Sequence, residues 1–474
     1  MALDDRLLVQ LGNVCASVTT DSSALASAAR DWWPLALVWA TRGEVPAMPA
    51  VIASPASARE VADVLGVCDR ARVPVTAAAG RSGVCGSSVP AFGGVVLDMT
   101  GISGILDVDS TSLTVDVLPG TFGDDFEAEL RSSHDLTLGH WPQSMALSTV
   151  GGWLACRSAG QMSTRYGKIE DMVVGMEVAL ADGRLIRTGG RAPRAAVGPD
   201  LNQIFVGSEG TLGIITEARL RAHPVPSAER RGAWTVPGFE AGLELCRRIL
   251  RRGGTPAVLR LYDAVEADRG FGIGEALVIV LDEASESFVN ATFGVVEEEC
   301  GLAGAVSADV GLVQRWLDHR NDVSALGALV QRGIVVDTTE IAACWSALPG
   351  IYDAVLAAVG EVDGNLAVSA HQSHAYPDGA CLYFSWAGRP TDDPADADRF
   401  YREAWDAVTR TTLDHGGTLS HHHGVGINRG RFMRDALGAG FDVLVAIKAA
   451  LDPNGILNPG KLGLPSPFGE SPWP

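Results

Sequence analysis

The alternation of apolar and polar residues predicts an α/β unit near the start of the chain. A short apolar run at 51–53 predicts a first strand, and a helix with apolar residues at helical spacing follows it. Ser57 and Glu60 have the spacing of a capping box at the start of that helix. Further strands at 73–76 and 93–99 complete a β-α-β order, which is typical of α/β units.

Strand patterns continue after this unit, and a longer helical stripe then begins at Phe239. The predicted strands lie at 112–118, 173–181 and 213–221. Prolines between His223 and Ser227 indicate a domain boundary, and the tryptophan-rich stretch 32–39 predicts a helix packed against the first domain. The predicted divisions are an N-terminal segment at 1–45, a strand-rich domain at 46–226, a second domain of helices and strands at 227–440 and a C-terminal segment at 441–474.

Composition and charge narrow the classes of partner. The chain has 474 residues and a formal net charge of -20, and because affinity for phosphate backbones depends on Lys and Arg, no nucleic acid partner is expected. The eight cysteines are dispersed and form no Cys-x-x-Cys pair, which is typical of a reduced intracellular protein without a zinc or iron–sulfur cage. No apolar run suits a signal peptide or a membrane span, so a cytoplasmic location is expected.

A segment of small residues from Ala77 to Ser88 lies between the second and third predicted strands. Such residues allow backbone N–H groups to approach a pyrophosphate and to cradle its oxygens. Many Gly/Ser turns bind no ligand, so this segment alone leaves a plain turn open. Two later segments favour a ligand-binding loop over a plain turn, one from Pro142 to Trp153 and one from Gly198 to Glu217.

In the order and content of these three segments the chain resembles the FAD-linked oxidase family, also called the vanillyl-alcohol-oxidase or PCMH family. The resemblance implies an α+β fold, with a PCMH-type FAD-binding domain of two subdomains, an α/β cap domain for substrate and a C-terminal segment that returns to the FAD domain. It also implies FAD as the cofactor. The residues expected to contact FAD are Ala79, Gly80, Arg81, Ser82, Gly83, Val84, Cys85, Gly86, Pro142, Ser144, Ser148, Thr149, Gly151, Gly152, Gly160, Tyr166, Glu209, Gly210, Ile214 and Ile215.

The first of these segments departs from the family pattern at two points. Members often carry Gly-Gly-Gly-Thr-Ser where this chain has Ala78-Ala79-Gly80-Arg81-Ser82, and the extra methyl groups narrow the approach of the backbone. Members that link flavin covalently often use a His at the position of Cys85. We therefore expect FAD to be bound non-covalently, although cysteine also forms such links.

A second resemblance extends beyond the flavin domain. From about residue 45 to 463 the chain resembles the alkyldihydroxyacetonephosphate synthases. The matching motifs lie at 137–153, 208–226, 256–263, 373–384 and 416–426. This resemblance implies a redox-neutral reaction in which flavin N5 adds to C1 of an acylated dihydroxyacetone phosphate, the fatty acid leaves and a fatty alcohol replaces it to give an ether lipid. It further implies a small-molecule or lipid substrate and a homodimer, with peripheral membrane contact left open.

The same resemblance implies a role for each residue of the predicted catalytic site. His422 and His423 move the C1 proton, and His421 supports them. Tyr383 acts as an acid or hydrogen-bonds the departing carboxylate, and Arg260 steadies negative charge near the flavin or substrate. The residues expected to contact substrate are Arg429, which meets the phosphate, and His140.

Other interpretations of these residues remain open from the sequence alone. Three adjacent histidines also suit a solvated loop between glycines, and adjacent residues do not all converge on one ion, which argues against a three-histidine metal cage. Tyr383 and Arg260 lie in apolar strands, where a tyrosine is often core and an arginine an ion-pair partner. Glu340 and Trp345 are assigned to the scaffold of the cap.

The 2-hydroxyacid dehydrogenases of this superfamily provide a contrast. They typically carry a Glu where this chain has His422, and a His within the stretch that here runs from Asp378 to Tyr383. The carboxylate and imidazole that would bind a divalent metal are therefore missing, and no metal is expected. Ile427 stands where the synthases have Lys, which leaves an oxidase or dehydrogenase of a 2-hydroxy acid or secondary metabolite as the alternative.

Overall fold

Helices and strands alternate along the whole chain. The computed structural model describes residues 3–45, 47–322, 328–391, 393–471 and 473. The strands are β1 (Ser17–Thr19), β2 (Val51–Ser54), β3 (Val75–Ala78), β4 (Val95–Asp98), β5 (Ile105–Asp109), β6 (Thr114–Val117), β7 (Leu136–Thr137), β8 (Val173–Ala179), β9 (Leu185–Arg187), β10 (Ile214–Arg221), β11 (His223–Pro224), β12 (Ala228–Val236), β13 (Val258–Tyr262), β14 (Ala276–Ala284), β15 (Val306–Ser307), β16 (Val335–Cys344), β17 (Asn365–Tyr376) and β18 (Gly379–Gly388). The helices are α1 (Asp5–Val14), α2 (Ser22–Ala28), α3 (Pro34–Thr41), α4 (Ala58–Ala71), α5 (Gly123–His134), α6 (Val150–Cys156), α7 (Ser163–Tyr166), α8 (Ile169–Met172), α9 (Asn202–Phe205), α10 (Phe239–Arg251), α11 (Ala264–Phe271), α12 (Glu286–Leu302), α13 (Gly311–His319), α14 (Leu348–Gly360), α15 (Pro394–Asp414), α16 (Met433–Leu437) and α17 (Gly440–Leu451).

The predicted β-α-β unit forms the first sheet. Strands β2, β4 and β3 run parallel, and β1 pairs antiparallel with β2 at the edge. The apolar stripe of α4 is buried through Val61, Val64, Leu65 and Cys68. Ser57 caps this helix by accepting a hydrogen bond from the Glu60 N–H, but the Glu60 carboxylate accepts from Ala16 and Ala56 instead of from Ser57. Only half of the predicted capping box therefore forms, and that half is worth about 1 kcal/mol.

The three later strands predicted for the first domain lie in an antiparallel sheet of the order β5-β6-β10-β8-β9. They correspond to β6, β8 and β10, and their apolar residues form a core of their own with helices α5 and α6. The third segment of the FAD pattern ends in β10, and the second leads into α6. The two sheets therefore frame the predicted FAD segments.

The cap is built on one antiparallel sheet of seven strands in the order β15-β12-β14-β13-β17-β18-β16. Directly paired residues share a face of a sheet, and the register places four polar residues in one row across its last four strands. Tyr262 pairs with His371, His371 with Tyr383, and Tyr383 with Glu340. A slip of one residue would turn a strand's side chains to the opposite face, so this register is what assembles the row.

The N-terminal helix α3 packs differently from the prediction. The Trp33 indole donates a hydrogen bond of 2.9 Å to the Tyr401 hydroxyl, and the Trp39 indole donates to Asp398 at 3.1 Å. Both acceptors lie on α15 of the cap. The expectation that this helix packs against the first domain is therefore wrong in its main contact, because buried indole N–H groups need acceptors and α15 provides them.

The C-terminal segment returns to the FAD domain, as predicted. The Val75 N–H donates to the Ile456 carbonyl, and the Asn458 N–H donates to the Val75 carbonyl, both at 2.8 Å. The buried Lys461 ammonium donates to the Val89 carbonyl at 2.7 Å. Among the described residues, no helix is both long and apolar enough to cross a membrane.

Candidate active site

The first predicted FAD segment presents a row of unused backbone donors. From Gly80 to Ser87, no backbone N–H donates a hydrogen bond to any described residue. The next N–H, of Ser88, donates to Asp31. Partly or fully buried N–H groups are rarely left without partners in proteins, so this row fits a ligand that carries several acceptor oxygens, as a pyrophosphate does.

Close packing and backbone strain mark the same loop. A Cβ at Gly80 would lie 1.9 Å from the Leu147 carbonyl oxygen, so only glycine allows the first and second segments to approach this closely. Arg81 adopts a left-handed backbone with φ +52°, which costs a non-glycine residue about 1–3 kcal/mol. Strain beside a row of free N–H groups indicates a binding loop, and the residues present fit FAD.

Several residues predicted to contact FAD are instead engaged within the protein. The Glu209 carboxylate accepts hydrogen bonds from the N–H groups of Val425 and Gly426 at 2.6 and 2.8 Å. The Tyr166 hydroxyl donates to Glu283 at 2.7 Å, and the Ser148 hydroxyl accepts from the Trp153 indole. Glu209 and Tyr166 thus join the FAD domain to the cap, Ser148 is engaged within the FAD domain, and all three side chains offer little to a cofactor. Apart from Gly160, the remaining predicted residues lie in the three segments, and their contacts with FAD stay a prediction.

Cys85 lies at the position where relatives can attach flavin. Its side chain is buried, and burial raises the pKa of the thiol far above its ordinary value. Because the thiolate is the nucleophilic form, a buried protonated Cys85 is poorly suited to covalent attachment. This environment supports the prediction that FAD is bound non-covalently.

The Tyr383 hydroxyl is the meeting point of the predicted catalytic residues. It lies 3.1 Å from Nε2 of His422 and 2.6 Å from Nε2 of His423. A tyrosine hydroxyl has one proton, so it donates to one imidazole and accepts from the other. Residues separated by about forty positions in the chain therefore form one hydrogen-bonded group.

His421 belongs to a neighbouring network. Its Nε2 lies 3.0 Å from the Tyr376 hydroxyl, and its Nδ1 lies 2.9 Å from Nδ1 of His422. Tyr376 shares the Ser163 hydroxyl with Nδ1 of His374, at 3.0 and 2.9 Å. This chain of groups links His421 to His422, and the supporting role of His421 stays a prediction.

The imidazoles of Ser420–Gly424, the histidine loop, are held in their neutral form. Burial lowers the pKa of His421 and His422 to about 3 and that of His423 to about 4, and repulsion between the neighbouring imidazoles adds to the effect. Burial also raises the pKa of Tyr383 well above its ordinary value. Near neutral pH the site therefore pairs uncharged imidazoles with a protonated phenol.

Glu340 fixes the shape of the histidine loop. Its fully buried carboxylate accepts hydrogen bonds from the N–H groups of His421 and His423, both at 2.6 Å, and from the Ser420 hydroxyl at 2.9 Å. Burial alone would raise the pKa of Glu340, but the charge of Arg429 and the loop donors hold it well below its usual range. From the sequence, Glu340 was assigned to the scaffold of the cap. The signal that could have indicated a further role was a carboxylate beside the apolar residues of its strand.

Arg429 is the partner of Glu340 and not a surface cation. Its guanidinium is fully buried, lies 3.3 Å from the Glu340 carboxylate, donates to the Leu419 carbonyl at 2.6 Å and covers the Trp405 ring. A group enclosed in this way has no path to a substrate phosphate. The expected contact between Arg429 and phosphate therefore finds no support in this structure.

A different pair of arginines is available to an anion. Arg260 is 7% exposed, and its one hydrogen bond among the described residues runs from Nε to the Tyr262 hydroxyl at 3.0 Å. The guanidinium carbons of Arg260 and Arg320 lie 5.5 and 5.6 Å from the Trp316 ring centre. Neither forms an ion pair with a described carboxylate within 4.0 Å. Burial lowers the pKa of Arg320, and the charge of Arg260 lowers it further. The carboxylate of Glu283 partly opposes this shift.

Two further histidines bear on the predictions. His140 is fully buried, with Nε2 2.9 Å from the Ser158 hydroxyl and its ring against Trp153, so this conformation leaves it no open contact with substrate. His374 lies with His421 and His422 so that one ligand nitrogen from each falls within 4.8 Å of the others. His374, His421 and His422 can together hold a metal ion. From the sequence this site was not predicted, because only the three adjacent histidines were considered.

Two family models match the chain. One is described as FAD binding domain and matches residues 49–189, and the other is described as FAD linked oxidases, C-terminal domain, and matches residues 225–462, about half of the chain. The chain belongs to the FAD-linked oxidase family. Its cofactor is FAD, and its α+β fold with a PCMH-type FAD-binding domain is confirmed.

Relatives of this FAD-linked oxidase carry different activities in their names. The uncharacterized FAD-linked oxidoreductase YgcU of Escherichia coli (strain K12) is 30% identical over 434 residues, which span 88% of this chain and 89% of that protein. Alkyldihydroxyacetonephosphate synthase of Trypanosoma brucei brucei is also 30% identical, over 80% of this chain and 66% of that protein. Glycolate oxidase subunit GlcD of Bacillus subtilis (strain 168) is again 30% identical, over 88% and 89%.

The fold agrees with that of a solved synthase. A structure of alkyldihydroxyacetonephosphate synthase superposes with a TM-score of 0.79 at 25% sequence identity, covering 96% of this chain and 86% of the other. The comparisons therefore include both a transferase and oxidoreductases at similar identity, and the geometry of the site has to decide between them.

Proposed function

We propose that this FAD-linked oxidase exchanges the acyl group of an acylated dihydroxyacetone phosphate for a fatty alcohol and so forms an ether lipid. The observation that carries the proposal is the Tyr383 hydroxyl hydrogen-bonded to both His422 and His423. This group can hold and return a proton without any net oxidation. When bound, FAD supplies an electrophilic ring at the substrate carbon.

The protonation states set the direction of proton movement. His422 and His423 are neutral and therefore able to receive the proton that leaves C1 of the substrate. Tyr383 keeps its proton, and in the proposed reaction it turns that proton from the imidazole to the carboxylate that departs. Glu340 holds the histidine loop but stays ionised and enclosed, so it takes no proton itself.

The arginine pair supplies a place for the phosphate. Two partly buried cations that lie against the same Trp316 ring, with no described carboxylate within 4.0 Å, are costly unless an anion joins them. A phosphate dianion matches two guanidinium groups better than a single carboxylate does. We therefore assign to Arg260 and Arg320 the phosphate contact that the resemblance predicted for Arg429. Ile427, which replaces a lysine of the synthases, is buried against the first loop and adds no cation.

The second candidate function is oxidation or dehydrogenation of a 2-hydroxy acid. The observation that favours it is the set of His374, His421 and His422, whose ligand nitrogens lie close enough to bind a divalent metal. Such a metal would polarise the hydroxyl and carboxylate of a hydroxy acid. The oxidoreductase relatives, as similar in identity as the synthase, support the same alternative. Assembly as a homodimer, membrane contact and cytoplasmic location stay predictions.

The test is incubation of the purified FAD enzyme with acyl-dihydroxyacetone phosphate and labelled hexadecanol. We expect labelled ether and one equivalent of free fatty acid, and a loss of at least tenfold in kcat/KM for phosphate-bearing substrate in Arg320→Met. His415→Asn, an exposed histidine at the end of α15, is the matched control. Absence of labelled ether, with hydroxy-acid oxidation that needs added metal, would replace this proposal with the second one.

A further inference from the structure

His371 occupies the centre of the polar row on the cap sheet, yet it has no part in the Tyr383 group. Its ring stacks on Tyr383 with centres 4.9 Å apart and planes 10° apart, and on Tyr262 at 5.3 Å. The side chain is 13% exposed. His371 therefore lies beside Tyr383 and keeps part of its side chain exposed.

A buried carboxylate orients this imidazole. Oε2 of Glu266 lies 2.7 Å from Nδ1 of His371, and Oε1 accepts hydrogen bonds from the hydroxyls of Ser385 at 2.7 Å and Ser369 at 3.2 Å. Burial alone would raise the pKa of Glu266, but its interactions with His371, Ser385 and Arg269 lower it to about 2. An ionised carboxylate at this distance accepts the Nδ1 proton, which leaves Nε2 as the basic nitrogen.

That nitrogen is not committed to another side chain. The one hydrogen bond of His371 within the described part of the chain is the one to Glu266. Nε2 also does not belong to the fully buried polar atoms that lack a partner, so it keeps some exposed surface. A half-enclosed imidazole with one nitrogen fixed by a carboxylate and the other free is the arrangement of a general base.

The proposed exchange contains two separate proton transfers, one from C1 and one from the incoming alcohol. The proposed function assigns the first transfer to His422 and His423, whose Nε2 atoms contact the Tyr383 hydroxyl. A second base is then needed for the hydroxyl. Among the described residues of the row, His371 is the imidazole left for it.

We propose that His371, positioned by Glu266, accepts the hydroxyl proton of the incoming alcohol. The inference rests on the proposed function. The O–H bond breaks as its proton passes to Nε2, and the electron pair left on oxygen forms the new C–O bond to the substrate carbon. The acyl C–O bond breaks, and the carboxylate leaves with its electron pair. Glu266 balances the imidazolium charge until the proton passes to solvent, and no oxidant or reductant is consumed.

The experiment separates the two halves of the reaction in the FAD holoenzyme. In His371→Asn, whose amide can still donate to Glu266, we expect alkyl incorporation to fall about 10²–10⁴-fold. Release of the C1 hydrogen to water, which the Tyr383 group serves, should stay within about threefold. His422→Ala should lose both. His371→Gln repeats the test in case the shorter amide perturbs folding, FAD absorbance reports the folded holoenzyme, and His415→Asn is the control.

Glu266 is tested as a positioning residue through the pH profile of alkyl incorporation. Other charged or titratable groups facing the pair are Asp263, Arg269, Tyr262, Tyr383 and His374. Glu266→Gln removes the carboxylate charge that stabilises the imidazolium, so the acidic limb should move to lower pH while KM for the acyl substrate stays unchanged. An unmoved limb would show that Glu266 is only structural.

Failure of this inference differs from failure of the proposed function. If wild-type enzyme forms ether and His371→Asn incorporates alcohol at the wild-type rate, the role of His371 is overturned while the function stands. If wild-type enzyme forms no ether but oxidises a hydroxy acid, the function falls. The pair of His371 and Glu266 then predicts the same loss in the rate of hydroxy-acid oxidation. An unchanged rate of that oxidation in His371→Asn would overturn the role of His371 in this reaction too.

Discussion

Replacing Glu340 with Gln tests whether one carboxylate holds the histidine loop in place. The change leaves the fully buried Arg429 without an anion and turns an amide N–H₂ toward the backbone donors of His421 and His423. Removing one partner of a buried ion pair typically costs about 3–5 kcal/mol, because the other charge stays buried and unpaired. That is a large part of the about 5–15 kcal/mol by which proteins are stable, so a lower denaturation midpoint is expected.

A double-mutant cycle measures the coupling directly. We expect Glu340→Gln combined with Arg429→Met to cost less than the sum of the two single changes, by about 1–3 kcal/mol. The measurement is denaturant unfolding of the holoenzyme at one saturating FAD concentration, since bound ligand shifts the apparent stability. Glu298→Gln is the control, because its pair with Arg252 is exposed and contributes little. Strictly additive effects, or a Glu340→Gln enzyme as stable as wild type, would refute this account of the loop.

Four other outcomes follow from the site. Tyr383→Phe and His422→Ala should each reduce turnover about 10²–10⁴-fold while keeping FAD, measured by rates and flavin absorbance; near-normal rates in both would remove their proposed roles. Acid precipitation should leave a colourless pellet, and yellow colour retained there would show a covalent link through a residue such as Cys85. Dialysis against a chelator should leave activity intact, and loss restored by zinc or manganese would return the hydroxy-acid alternative. The pKa of each histidine in the loop is lowered from 6.5 to about 3 or 4, so as pH falls below 6.5 the unfolded chain binds protons that the folded chain does not. The denaturation midpoint should therefore drop between about pH 7 and about pH 5. A rise in the midpoint would contradict the burial of these imidazoles.

Local patterns were sufficient for the parts of the fold whose partners lie close in the chain. Ser57 and the stripe of α4 predict their helix because spacing alone defines an amphipathic face. Gly80 and the small residues around it allow a ligand loop, but the two later segments were needed to favour it over a plain turn. Tyr383 and the histidine loop were found through resemblance, and the structure brings them within hydrogen-bond distance.

The rest depends on contacts between distant strands. Glu340 acts on the histidine loop about eighty positions later, and Glu266 meets His371 across 105 positions. Nothing in either local pattern shows which strands become neighbours. Arg429 was predicted through the resemblance to meet the substrate phosphate, but its ion pair with the buried Glu340 holds it in the core. Trp33 likewise found its acceptor on α15, beyond any local signal.

The central claim is that the reaction transfers a group without net oxidation. The most direct measurement is the stoichiometry of ether formed per enzyme-bound FAD in an anaerobic reaction without electron acceptor, from acyl-dihydroxyacetone phosphate and labelled hexadecanol. We predict many equivalents of ether per FAD, matched by equal free fatty acid, with the flavin oxidised at the end. No ether, together with a single equivalent of oxidised product per FAD and a flavin that stays reduced until an acceptor is added, would contradict the account.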